Sequence, residues 1–396
     1  MQRLDILDGM RGYFLVFMML NHLSFAGGYL LVRINHGELG YVQDAQGFVF
    51  LSGLLIGMVY AGHMMKRGYK PAAIRVQKRA FELYRWALGC VLAVLALGFV
   101  LPGSETYWEP WLWAIAETPV LFFAAAATLL YQPTYMDMLP QYIVYLVVAP
   151  PLLWLCVSGR WRVVALLSAL LWIGVQFGLH LPLRDWLHAT MQAIHPDLAL
   201  RAHFNVLAWQ VLFIGGMVLG ALTSTKQVDW QKALSPDRPE IALASAALLI
   251  FFMGWRLGFV FGWVPDSLAE RFTAFDVRGE FSLVYLLNFS AIAYLVAWLV
   301  IAGPRSVNVV ALGASRLLRT VFTLPFLTLI GRHSLQVYVW HVVAIYVLKA
   351  LDHHHGPFNE ATKTAIALTA IASMAIPALW RDWRASARAE KIAKTA

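Results

Sequence analysis

Apolar residues fill runs of about twenty positions along this chain, parted by short polar or charged stretches. A helix needs about 20 apolar residues to cross about 30 Å of hydrocarbon. The runs predict spans near residues 10–31, 45–65, 83–102, 139–157, 162–180, 204–222, 240–262, 281–302, 331–350 and 362–380. A further apolar stretch, 112–131, is interrupted by Glu117 and Pro119 and is expected to be re-entrant or to lie at the interface. Counting it as a crossing would put the basic turn Ser158–Arg162 and the loop Lys226–Arg238 outside. Leaving it out gathers the basic loops and both termini on the cytoplasmic side, as the positive-inside rule requires. The segment Ala311–Ile330 carries Arg316, Arg319 and Pro325 among apolar residues and reads as an amphipathic element on the cytoplasmic face. The first run, Tyr13–Val32, ends without a small-x-small cleavage site and reads as a retained helix. The predicted fold is an all-α integral membrane protein of about ten transmembrane helices. One membrane-embedded domain, residues 1–396, is expected.

Composition sharpens the membrane reading. Of 396 residues, 60% are apolar and 13% charged, with mean hydropathy +0.63; a soluble domain is about 25% charged. The net charge of +9 sits between apolar runs, where it orients helices and implies no nucleic-acid partner. Cys90 and Cys156 lie inside apolar runs and read as packing residues. The run His353-His354-His355 lacks ligand spacing, so no metal is expected.

Polar groups inside hydrocarbon cost about 2.5–3.5 kcal/mol on insertion scales, which makes each a functional candidate. His22 follows Asn21 about 18 Å into the first predicted span, and His341 lies about 15 Å into the ninth. Each could simply hydrogen-bond a neighbouring helix, but a near-neutral pKa suits proton transfer. Asp44, within Gln43-Asp44-Ala45-Gln46-Gly47, and Asp137, within Met136-Asp137-Met138-Leu139-Pro140, stand at the starts of spans, where capping competes with catalysis. Arg256 lies deep in the seventh span and could hold an anionic group or pair with a carboxylate. Ser52, Gly53 and Gly57 read as small residues permitting close helix approach. Arg75, Lys78 and Arg79 form a basic cluster at helical spacing that could grip a phosphorylated donor. Trp108, Trp111, Trp113, Trp186 and Trp263 fit an interfacial aromatic belt, with sugar stacking the alternative.

Several of these motifs resemble the acyltransferase-3 superfamily. Leu7-Asp8-Gly9-Met10-Arg11-Gly12 leading to Asn21-His22 resembles its opening, and Gly47-Phe48-Val49-Phe50-Leu51-Ser52-Gly53 its second span. Arg75-x-x-Lys78-Arg79 resembles its basic cytoplasmic motif, and Gly331-Arg332-His333-Ser334 through Tyr338 to His341 its late span. Asp44 to Gly53 and Tyr135 to Tyr142 are most similar to the branch that succinylates osmoregulated periplasmic glucans. Gln46 stands where that branch leads one to expect an acid.

The resemblance implies an enzyme of the bacterial inner membrane that moves an acyl group from cytoplasmic succinyl-CoA to glucose hydroxyls of a glucan outside. It implies His22 as general base with Asp44 orienting it, Asp137 being the other candidate carboxylate. It further implies His341 as a second acid/base or structural partner, and Arg256 holding the succinyl carboxylate or an oxyanion. Arg75, Lys78 and Arg79 would hold the CoA phosphates. Acetyl transfer to another envelope polysaccharide is an alternative. A secondary transporter is another, disfavoured here because neither His22 nor His341 is predicted at a helix break.

Overall fold

The computed structural model describes residues 5–112, 118–273 and 275–395. It is 78% helical, without strands among the described residues. Eight helices are long and apolar enough to cross a membrane, or up to ten if each of two bent pairs is one span. The eight include α2 (Asp44–Arg67), α3 (Tyr69–Val100), α4 (Met138–Val157), α7 (Val206–Ser224), α8 (Glu240–Val260), α9 (Leu283–Ile301) and α12 (Ser334–His355). The last is α13 (Glu360–Ser373) continued by α14 (Ala375–Thr395). The bent pairs are α5 (Trp161–Gln176) with α6 (Leu181–Gln192), at 69°, and α10 (Val309–Phe322) with α11 (Pro325–Arg332), at 57°. This is a multi-pass membrane protein. Only 17% of the apolar window of α8 is buried within the protein, leaving the rest to lipid.

Three predicted spans are corrected. The first helix, α1 (Asp5–His22), ends at His22 instead of running to residue 31, and Leu30–Ile34 forms a 3-10 turn. The fifth breaks at Phe177–His180, where Gly178 takes φ +74°. The ninth begins at Ser334, because the chain breaks at His333 after α11. In the region 112–131 the only helix described beyond Leu112 is Pro119–Ala127, nine residues and about 14 Å, too short to span. Glu117 and Trp113 lie outside the described residues.

The chain divides into two compact units. Unit 1 comprises residues 1–35, 89–110 and 317–396, and its centre is a contact between α1 and α11. A Cβ added at Gly9 would stand 1.6 Å from the Phe322 carbonyl oxygen, one at Gly12 2.0 Å from that of Leu327, and one at Gly331 1.8 Å from that of Asp8. The glycines of the Asp8–Gly12 motif and of the Gly331–Ser334 motif therefore exist to bring two backbones together. Charge closes the seam: Arg332 pairs with Asp5 at 3.1 Å, and Arg11 donates to Ser334 Oγ.

Unit 2 comprises residues 36–88 and 111–316. Its densest contact joins α2 and α7 through two interlocking Gly-x-x-x-Gly pairs. Cβ atoms at Gly53 and Gly57 would meet the carbonyls of Phe213 and Met217 at 2.0 and 2.1 Å. Those at Gly216 and Gly220 would meet Phe50 and Leu54 at 2.2 and 2.1 Å. The small residues of the second-span motif thus do the packing expected of them.

Candidate functional site

In unit 1 the two predicted histidines meet. His22 Nδ1 lies 3.3 Å from His341 Nε2, with the rings 5.5 Å apart and 29° from parallel. From the Gly12–Gly331 contact, each histidine is ten residues further along the chain, so two helical segments leaving one seam bring them to one place. His22 terminates α1 and is half-buried, whereas His341 is fully buried on α12. Their tautomers follow from one carbonyl. His341 Nδ1 contacts the Tyr338 carbonyl, which only accepts, so Nδ1 carries the proton and Nε2 is a lone pair. That lone pair takes the proton of His22 Nδ1, leaving His22 Nε2 as an unprotonated base.

The loop leaving His22 is tied down by charged side chains of α12 and α13. Asp352 accepts from the Ala26 N–H at 2.8 Å, and Glu360 from the Leu30 N–H at 2.9 Å. Lys363, buried, donates to the Ala26 and Gly28 carbonyls at 3.1 and 2.7 Å and to Glu360 at 3.2 Å. The Tyr29 hydroxyl caps the Leu20 carbonyl, one of the orphan acceptors at the end of α1. Gly27 and Gly28 take φ +75° and +71°, values that only glycine adopts freely. The sequence reading missed this strap. Lys363 among apolar residues was the signal available for it.

Unit 2 holds the other predicted polar groups. Asp44 does not cap α2: Gln43 does, in a capping box with Gln46. Gln46 Oε1 accepts from the Gln43 N–H at 3.3 Å while its Nε2 donates to the Tyr41 carbonyl at 3.2 Å. A carboxylate could not make the second bond, which accounts for the amide at this position. Asp44, buried, lies 3.6 Å from His36. Burial pushes His36 down to about 4, so its imidazole is neutral beside that carboxylate. Asp137 precedes α4 without a side-chain capping bond. Burial raises its carboxyl to about 6, against a smaller opposing effect of backbone N–H groups and Arg278. Both aspartates act on Arg278, a residue the sequence reading passed over because it lies in a loop between spans. Arg256 sits 5.9 Å from the Tyr41 ring centroid, and Tyr41 packs at right angles to Tyr285, which donates to Asp276 at 2.5 Å.

The basic cluster on α3 is partly engaged. Arg79 pairs with Glu82 at 2.6 Å, while Arg75 and Lys78 are exposed. Lys78 lines a shallow groove with Tyr69, Lys70, Ile74 and Phe81. Among the tryptophans, Trp186 and Trp263 are exposed as a belt requires, but Trp108 is fully buried, its indole donating to the Tyr346 carbonyl at 3.0 Å. That residue is core.

Residues 3–386 match the family model described as OpgC protein. No curated protein and no solved structure matches the chain.

Proposed function

This chain belongs to the OpgC protein family, and on that footing we propose that it is a membrane acyltransferase that succinylates periplasmic glucans. The family gives the coarser part, an acyltransferase-like role in modifying periplasmic glucan. Succinyl-CoA as donor, glucose hydroxyls as acceptors and the bacterial inner membrane as location are our reading, as is kinship with the acyltransferase-3 superfamily.

The observation that carries the mechanism is the relay Tyr338 carbonyl–His341–His22. The ring nitrogen of His22 turned away from His341, Nε2, takes the proton of a glucose hydroxyl as the oxygen attacks the thioester carbonyl. His22 becomes an imidazolium whose Nδ1–H still points at His341, so no tautomer change is required. The tetrahedral intermediate collapses by breaking the C–S bond. The departing thiolate takes the proton from His22, giving ester and free CoA. A positioned base of this kind contributes about 10²–10⁴-fold. Arg75 and Lys78, exposed on α3, are suited to CoA phosphates, with Arg79 recruited from Glu82. Arg256, Asp44 and Asp137 serve acyl group or acceptor rather than the proton transfer.

Helix continuity no longer argues against a transporter, since α1 ends at His22 and α12 follows a break. Family membership and the relay favour the enzyme. Sealed vesicles containing the protein, loaded with labelled succinyl-CoA on the cytoplasmic side, should pass label to glucan outside, and His22→Ala should abolish this with the protein still inserted. Undiminished transfer by that variant refutes the mechanism; label from acetyl-CoA alone changes the donor.

A further inference from the structure

We propose that unit 2 carries a binding site for a neutral sugar, built by Asp137, Gln141 and Arg278. Asp137 and Gln141 stand one helical turn apart at the start of α4, on one face of the helix. They are 6% and 2% exposed, and Asp137 Oδ2 and Gln141 Oε1 have no hydrogen-bond partner among the described residues. Their remaining polar atoms are fixed by one short segment. Gln141 Nε2 donates to the Phe204 carbonyl at 3.2 Å, and the Asp137 carboxylate takes a backbone N–H of His203. Two acceptors are thus held rigidly with nothing to accept. A buried acceptor left so costs about as much as a lost hydrogen bond, and a ligand would remove that cost.

Arg278 supplies the matching donors. Its guanidinium lies 5.7 Å from the centroid of the Phe204 ring and makes no ion pair or hydrogen bond with any described residue. The side chain is accessible to solvent, yet desolvation by surrounding protein is the largest influence on it. Asp137, Asp44, Tyr135 and Tyr285 all act on it electrostatically.

The backbone that follows Arg278 is pinned by side chains of α5 and α7. Trp209 Nε1 donates to the Gly279 carbonyl at 3.1 Å, Gln176 to Glu280 at 3.0 Å and Trp172 to Phe281 at 2.8 Å. Phe281 takes φ +46°, and Tyr135, two residues before Asp137, takes φ +70°. Non-glycine residues in this region persist where the surroundings over-determine them, typically around ligands.

The charges choose the ligand class. An anion would meet Asp44 and Asp137; a cation would meet Arg278. A sugar hydroxyl both donates and accepts, so neighbouring hydroxyls can satisfy the carboxylate and the guanidinium together. That the sugar is the acceptor glucan rests on the reading above; the binding chemistry does not.

The test is calorimetric titration of the full chain, in a detergent without a sugar headgroup and without acyl donor, with linear α- and β-linked gluco-oligosaccharides. Saturable binding of one of them is expected. Asp137→Asn and Arg278→Met should each weaken it about tenfold or more, and Gln141→Met by less, with each variant still giving a cooperative thermal melt. Arg184→Ala, at an exposed pair with Asp185, should bind as the parent does. Absence of saturable binding overturns the proposal. So does unchanged affinity in the folded Asp137 and Arg278 variants, or displacement of the sugar by succinate, which would make this an anion site. Sugar bound normally with no acyl transfer would keep the site and refute the enzyme; transfer without loss in the variants would do the reverse.

Discussion

Asp137 gives the sharpest quantitative test, because its cost to the fold is set by burial. Its carboxyl rises from an ordinary 3.8 to about 6. At 1.36 kcal/mol per pKa unit, that rise is worth about 3 kcal/mol. The folded protein binds this proton more tightly than the unfolded chain does. Between about pH 4 and pH 6 the native state holds more protons, so stability falls as pH rises, and the loss is complete above the folded value. Asp137→Asn keeps the shape and removes the charge. The variant should match the parent near pH 4 and exceed it by about 3 kcal/mol at pH 8, a few degrees in melting temperature for a chain of this size. The assay is thermal unfolding in detergent by intrinsic fluorescence, scanned across pH for both proteins. The difference between the two should grow through about pH 6. A constant difference, or a variant weaker than the parent at pH 8, would refute the assignment of a destabilising buried carboxylate.

The remaining predictions concern the seams and the relay. His341→Met should lower acyl transfer by about a hundredfold or more, since methionine cannot accept from His22 Nδ1, whereas His341→Gln retains an acceptor and part of the rate; equal rates for the two would exclude the relay. Gly57→Val would drive a side chain into the Met217 carbonyl at 2.1 Å and should leave no monodisperse protein on size-exclusion chromatography. Gly89→Ala, with open space around it, should be tolerated and gain up to about 1 kcal/mol from helix propensity. Lys363→Met should free the Ala26–Leu30 strap, read as at least a tenfold loss of amide protection there; unchanged exchange would mean Lys363 does not hold the loop.

Much of the site was legible because membrane hydrocarbon makes polar residues conspicuous. His22 and His341 stood out as ionisable groups in apolar runs, and their contact at 3.3 Å joins two motifs some 320 residues apart in sequence. Helix ends were less legible. Nothing apolar marks the stop of α1, since Leu23 to Val32 continue the run while the chain turns at Gly27 and Gly28 and is held by Asp352 and Lys363. Hydropathy reports what can enter lipid, not where a helix ends. Trp108 was misread for the same reason: an indole at a predicted interface and an indole in a core look alike until its N–H is seen on the Tyr346 carbonyl.

Gln46 and Gly12 show why a departure from a motif and a match to it need the same physical question. Gln46 departs from an expected acid, but the position needs a group that donates and accepts at once, so the amide fits its surroundings better than the acid would. Gly12 matches its motif, yet its role is not chemical: a Cβ would stand 2.0 Å from the Leu327 carbonyl, and without that approach α1 and α11 could not share a seam. The contact between His22 and His341 depends on that seam. A helix that stood off by the width of a methyl group would carry His22 away from His341, and a hydrogen bond of 3.3 Å has no such slack. The motif glycines are therefore positioning residues for the relay, and Gly12→Ala should lose transfer by the loss of that contact even where the protein still inserts.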